Sequence, residues 1–428
     1  MEITRAVVDK MSDEECLSLI HYYVNKYGCD GVMQELLDEN YLYIDILDAS
    51  SGKRHHRDVM KTIGTELDSN TLKDKDGKVM KTIRHIQLEL ISLQYIPRKP
   101  NPRVIHKPDG KDRIVAKAPF QNDAIIQRAL IRVLLPRFYK GMYKYSCACV
   151  PGRGTNYARK GIKRTIKNDP KNTKYVLVMD IRHCFESISH RRLKKKLRKI
   201  IKEPWLRKIL FRIIDSYEEG LPLGYYTSHW FMNFFLQDLD HYIKERILDD
   251  CGCNTKRTGR HGAVYYWRYA DDMVIFGPNK KELHKIKNQL DIVMEEEFGL
   301  RIKYNWQVFR FDYIDKNGVR RGRFLDFVGF RFYHDHITIR RKTYIRIVRL
   351  ANRMIKKGIE EITFKQAARM LSFYGLVYWS DAHGLYVNLL KPYIKLSELK
   401  EIVKKEMQRK AAIIAERELE DKTKQKKH

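Results

Sequence analysis

The stretch from Ala263 to Phe276, AVYYWRYADDMVIF, constrains this chain most, because two apolar runs rich in β-branched and aromatic residues meet there at a pair of acids. Such runs read as strands, and their short connection predicts a hairpin with Asp271 and Asp272 at its tip. Carboxylates set between apolar strands are costly to bury uncompensated, so something of opposite charge must neutralise them. Neighbouring strand residues face opposite sides, which makes the two acids inequivalent: Asp271 is the candidate direct ligand of a cation and Asp272 the supporting acid. Taken alone, an Asp-Asp pair is also what a capped turn looks like.

A second acid offers the first pair a partner. Lys174 to Asp180, KYVLVMD, is a short strand-like run that ends in a carboxylate, far enough upstream for a crossover to return the chain to an adjacent strand. Carboxylates gathered in this way can bridge two magnesium ions. Ions about 4 Å apart can activate a 3′-hydroxyl and stabilise the departing pyrophosphate, which is nucleotidyl transfer.

Charge narrows the class of partner. With 84 Lys and Arg against 53 Asp and Glu, the net charge of +31 exceeds what solubility needs and points to a polyanion. Basic runs recur along the chain, so the charge is not the property of one tail. Seven cysteines in 428 residues, with no early apolar stretch behind a basic start, argue against export and a disulfide framework and for a reducing cytoplasm. No apolar run reaches membrane-spanning length. Cys147/Cys149 and Cys251/Cys253, with His261 nearby, invite a zinc reading, but the C-x-C spacing leaves no local four-ligand set, and ordinary thiols are the default.

Residues 1–95 carry helical periodicity, with Leu17, Ile20, Tyr23 and Val24 on one face and no evident chemistry. From Arg98 to Ala116 the text becomes basic and β-branched and predicts a hairpin turning at Asp109-Gly110, flanked by Lys107 and Arg113. A basic helix follows Asp180, and an apolar aromatic helix follows the turn at Gly220. Residues 281–297 read as a charged amphipathic helix, 299–340 as short strands and 341–395 as helical. The Lys/Glu-rich remainder reads as a helix fraying into a polar end.

In this order the motifs resemble reverse transcriptases, in particular the bacterial lineage that includes group II intron, retron, diversity-generating and defence-associated enzymes. The resemblance covers roughly residues 95–395. It rests on Tyr269-Ala270-Asp271-Asp272 and on VMDIRHCFESISH around Asp180, and it turns the odds from a capped turn to a metal site. It implies an α+β right-hand polymerase: an N-terminal helical extension (1–95), fingers and palm (96–335), a helical thumb (336–395) and a basic C-terminal helix or tail (396–428). It further implies two Mg²⁺ ions held by Asp180, Asp271, Asp272 and the carbonyl of Ile181. Lys107 and Arg113 would grip the triphosphate, Phe185 would stand as a gate favouring dNTPs over NTPs, and Leu223 and Gly224 would lie beneath the new base pair. Val328 and Gly329, in FLDFVGFRF, match the primer-grip turn, and Lys303 is a loosely aligned candidate for protonating pyrophosphate.

Intron relatives usually carry Gln where this chain has Leu223, and Pro where it has His229. Diversity-generating and many defence-associated enzymes share the apolar residue. The resemblance therefore implies an RNA-directed DNA polymerase that copies a dedicated structured noncoding RNA, in antiphage defence, through an RNA–DNA hybrid to a DNA product. The alternatives are a diversity-generating, retron or intron-type enzyme. From other classes come an RNA-directed RNA polymerase, which would accept NTPs, and a noncatalytic RNA-binding scaffold, which would not need the acids.

Overall fold

The computed structural model describes residues 3–51, 53, 56–64, 77–106, 112–247 and 265–409. They divide into two compact units, one built from residues 3–142 and 185–235, the other from 143–184 and 236–409.

The first unit is mainly helical. Helices Asp13–Tyr27, Gly31–Leu37, Glu39–Ser50, Arg57–Ile63 and Lys78–Ile91 occupy the region of helical periodicity. The first starts at a capping box: Ser12 Oγ accepts from the Glu15 amide at 3.1 Å, and the Ser12 amide donates back to Glu15 Oε2 at 2.7 Å. Lys78–Ile91 is the most deeply buried, with Ile83, Ile86, Leu88 and Leu90 in the core. Its buried Arg84 donates to Asp13 at 2.6 Å and also to Glu39, so one guanidinium ties three helices. Strands β1 (Asn101–Ile105) and β2 (Arg113–Lys117) form an antiparallel hairpin with Ile105 opposite Arg113. Helices Ile125–Tyr139, His190–Ile200 and Pro204–Asp215 follow, with the start of Tyr226–His241.

The second unit is built on a four-stranded sheet in the order β4-β5-β3-β6, where β3 is Tyr175–Asp180, β4 Tyr265–Tyr269, β5 Asp272–Gly277 and β6 Gln307–Arg310. Helix Lys280–Val293 packs on β3, β5 and β6, and helix Thr155–Asn168 on β4. After Asp272, every residue of β5 is buried, as its continuous apolar sequence requires. The fit is tight at Trp267, whose ring lies over Gly161: a Cβ added there would sit 1.9 Å from the indole. Short strands β7 (Tyr313–Ile314) and β8 (Arg320–Arg321) pair, and β9 (Leu325–Phe327), β10 (Phe330–Phe332) and β11 (Ile337–Ile339) form a three-stranded sheet sharing the core of the first. Helices Arg341–Lys357 and Phe364–Tyr378 enclose a separate apolar cluster that includes Ile347, Met354, Met370 and Val377. All pairs between these strands are antiparallel, so the α+β class read from the sequence holds.

Candidate active site

The acids meet where β3 ends and β5 begins. In the antiparallel register Asp180 stands directly opposite Asp272, so the two side chains leave the same face of the sheet. Asp271 occupies the turn, next to Ala270 at φ 56, and its carbonyl accepts from the Ile181 amide at 3.2 Å. Ile181 itself is buried.

Lys303 closes the cluster from the neighbouring segment. Its amide donates to the Asp180 carbonyl at 2.8 Å, and its Nζ lies 2.6 Å from Asp180 Oδ2. That carboxylate bond holds the ammonium pKa above its ordinary value. Asp180 Oδ1, by contrast, is buried with no hydrogen-bond partner. An acceptor oxygen left bare beside two further carboxylates is what a hard cation would satisfy. Burial in the protein mass pushes the Asp272 carboxyl up to about 7, with Asp271 and Asp180 adding to the shift and Arg340 and Lys303 opposing it. One edge of the side chain still reaches solvent. Three acids gathered at one strand end, one with a bare buried oxygen, form a candidate metal site.

The hairpin is anchored by residues that sequence reasoning did not single out. Arg268 and Asp240, both 1% exposed, form a bidentate pair with Nε–Oδ1 at 2.7 Å and Nη2–Oδ2 at 2.6 Å. Nη1 of Arg268 donates to the Ala270 carbonyl at 3.0 Å, so a buried guanidinium holds the tip that carries Asp271. Tyr266 adds an O–H donated to Asp240 at 2.7 Å. Burial disfavours the charged guanidinium, but Asp240 outweighs it and keeps the Arg268 pKa above its usual value. The only sequence signal was an Arg inside an otherwise apolar strand.

In the first unit, the Gly220–Tyr225 loop is tied to both of its neighbours. Leu223 accepts from the Ala116 amide at 2.7 Å, and the Leu221 amide donates to the Phe185 carbonyl at 2.8 Å. Gly224 has φ 118, and a Cβ there would lie 2.9 Å from the Ala116 carbonyl oxygen. Phe185 is buried, its ring meeting His229 edge-on at 5.3 Å, which gives the His229 departure a packing role. Phe185, Leu223 and Gly224 are thus assembled beside β2, whose first residue is the exposed Arg113. Lys107 lies outside the described residues.

Val328 and Gly329 form the two-residue turn between β9 and β10, with φ 45 and 91. Two positive φ values suit a tight hairpin, but at a β-branched valine the conformation is strained. Leu376 approaches the turn from helix Phe364–Tyr378, 3.9 Å from a Cβ built on Gly329.

Of the candidate zinc cysteines, Cys147 is buried and Cys149 exposed, both free; Cys251, Cys253 and His261 lie outside the described residues. Among the described residues, a different group, Asp312, His334 and Asp335, brings its ligand atoms within 4.8 Å of one another. Arg320 already bridges its two acids, at 2.9 and 2.8 Å.

Comparison with known proteins bears on the first site. Residues 105–309 match the family model described as reverse transcriptase (RNA-dependent DNA polymerase). Protein YkfC of Escherichia coli K12 is 26% identical over 243 residues, covering 50% of this chain; the chain spans 64% of that relative's length. Among solved structures, apo telomerase from Candida tropicalis aligns over 95% of this chain and 89% of its own, at 11% identity and a TM-score of 0.42. Candida albicans telomerase with a fragment of telomeric RNA aligns over 75% and 55%, at 13% identity and a TM-score of 0.41. Asp180, Asp271 and Asp272 all fall inside the region that matches the reverse transcriptase model.

Proposed function

We propose that the chain is an RNA-directed DNA polymerase that extends a primer with dNTPs. The observation that carries this reading is the register of Asp180 against Asp272 at the end of β3, with a bare buried oxygen on Asp180, inside the region that matches the reverse transcriptase model. Asp180, Asp271 and Asp272, with the Ile181 carbonyl, would hold two Mg²⁺ ions. When bound, the ions supply a lowered pKa for the attacking 3′-hydroxyl and charge stabilisation for pyrophosphate.

The protein's own part is positioning. Lys303 holds one oxygen of Asp180 and keeps that carboxylate aimed. Bonded in this way it serves the acid, and protonation of pyrophosphate would require it to leave Asp180. Arg268 fixes the hairpin through the Ala270 carbonyl. Lys107 and Arg113 are the proposed triphosphate contacts, Phe185 the gate against a 2′-hydroxyl, Leu223 and Gly224 the floor under the nascent pair, and Val328 and Gly329 the primer grip.

In the full reading, residues 96–335 would act as fingers and palm and residues 336–395 as thumb, with 1–95 an N-terminal helical extension and 396–428 a basic C-terminal helix or tail. The template is a dedicated noncoding RNA copied in the cytoplasm for antiphage defence. Leu223 and His229 favour this role, or the diversity-generating one, over intron mobility. Among the described residues no helix is long and apolar enough to cross a membrane.

Primer extension on an oligo(dT)-primed poly(rA) template, with dNTPs or NTPs, tests the chemistry. Incorporation of dNTPs that disappears in the Asp271→Asn/Asp272→Asn variant is expected. Equal use of NTPs would establish an RNA polymerase, and an unimpaired double variant would establish a noncatalytic scaffold. Sequencing RNA and DNA that copurify with the wild type and the double variant identifies the template, and a variable repeat in the product would replace defence with diversification.

A further inference from the structure

Helix Phe364–Tyr378 has two faces with different duties. Leu376, and Trp379 just beyond the helix, pack into the core beneath the β9–β10 turn. Leu371, Tyr374, Gly375 and Tyr378, spaced so that they share the other side, line a groove of about 970 Å³ with Tyr386 and the segment Lys391–Lys400. The floor is fixed: Tyr374 donates its hydroxyl to the Ile394 carbonyl at 2.6 Å and meets the Tyr386 ring edge-on at 6.4 Å. Tyr378 is 84% exposed, an unusual state for an aromatic ring one helical turn from a packed one.

Charge lies on one side of the balance. Lys391, Lys395 and Lys400 line the groove, and no carboxylate does. Lys395 reaches Glu398 at 3.4 Å; Lys391 and Lys400 have no ion pair with a described residue. Flat rings with polar tips, set between unpaired ammonium groups, match a base and its phosphates: the ring stacks and the lysines take the backbone charge. A partner helix would want a continuous aliphatic stripe instead, and here tyrosines interrupt the aliphatic positions.

We propose that this groove binds unpaired nucleotides of single-stranded RNA, one base stacking on Tyr378 with its phosphates on Lys391 and Lys400. The inference rests on the reading that the chain handles RNA, and it adds a single-strand site built on the helices beyond the sheet that holds the acids. Trp379 belongs both to the groove wall and to the core under Val328, which fixes the groove relative to that turn.

The test uses the full-length chain and a short fluorescein-labelled oligouridylate, read by anisotropy across a salt series, with a 4-thiouridine version crosslinked and mapped by mass spectrometry. Tyr378→Ala is expected to weaken binding about tenfold, while Tyr378→Trp keeps it. Lys391→Ala/Lys400→Ala should reduce the slope of log affinity against log salt by about 1.4, two single-strand contacts' worth. Crosslinks should fall within residues 371–400. Unchanged affinity in Tyr378→Ala and in the lysine variant, or crosslinks confined to other peptides, overturns the proposal; a groove made for a protein partner would give that result. The two readings separate cleanly. A wild type that extends primers while Tyr378→Ala binds oligouridylate normally sinks the groove alone. A wild type that crosslinks through this groove yet extends nothing sinks the polymerase alone.

Discussion

The Arg268–Asp240 pair predicts a coupling that can be measured directly. Both side chains are 1% exposed and share two short charged hydrogen bonds, so removing either leaves a charge in the interior with nothing to balance it. Breaking such a pair from one side costs about 3–5 kcal/mol. Asp240→Leu and Arg268→Met should each lower the unfolding midpoint in denaturant by a corresponding amount. The double variant should recover most of the loss, because no unpaired charge remains. Activity should follow a different course. The double variant still lacks the donor to the Ala270 carbonyl, a bond from a charged group of about 1.5–3 kcal/mol. If the hairpin tip depends on that bond in the transition state, kcat for primer extension falls roughly ten- to a hundredfold, with KM for the primer–template unchanged. Additive stability losses in the double variant would refute the ion-pair argument, and full kcat in a folded double variant would refute the positioning role.

Other substitutions test the packing and the electrostatics. Gly161→Ala places a methyl 1.9 Å from the Trp267 ring, so the ring and helix Thr155–Asn168 must part; a loss of about 1–3 kcal/mol is expected in denaturant unfolding. Gly224→Ala meets both a positive φ and the Ala116 carbonyl at 2.9 Å, and should slow dNTP incorporation more than it lowers stability, checked by extension assays beside a thermal melt. Glu203 accepts from Arg137 at 2.5 and 2.7 Å, and those bonds hold its carboxyl down at about 2. An acid depressed on folding stabilises above its unfolded pKa and loses that contribution as pH falls through the folded value. Glu203→Gln should therefore destabilise by a few kcal/mol near pH 7, with the gap to wild type closing between about pH 4.5 and 2; a gap independent of pH would contradict the assignment.

What the sequence made legible, and what it did not, divides along physical lines. Strand runs such as KYVLVMD and the helical periodicity around Leu17–Val24 announce themselves locally, because period acts over a few residues. Arg268 and Asp240 lie in different elements, and nothing short of the fold shows that an Arg in an apolar strand has a buried acid to meet. Lys303 is similar: its place on Asp180 depends on the segment before β6 running back along β3, an arrangement that a loose alignment does not fix. The acid pair marks the boundary most sharply. Alternation along a strand reads Asp271 and Asp272 as inequivalent, but it cannot say which of them shares a face with Asp180. Register decides that, and it puts Asp272 opposite Asp180 while Asp271 sits in a turn whose direction is set by Ala270 at positive φ and by Arg268 beneath it. A division of labour between the two acids would thus be set in the turn rather than in the strand. Comparing Asp271→Asn with Asp272→Asn for Mg²⁺ dependence would read it out: the stronger ligand's loss raises the Mg²⁺ needed for half-maximal extension more.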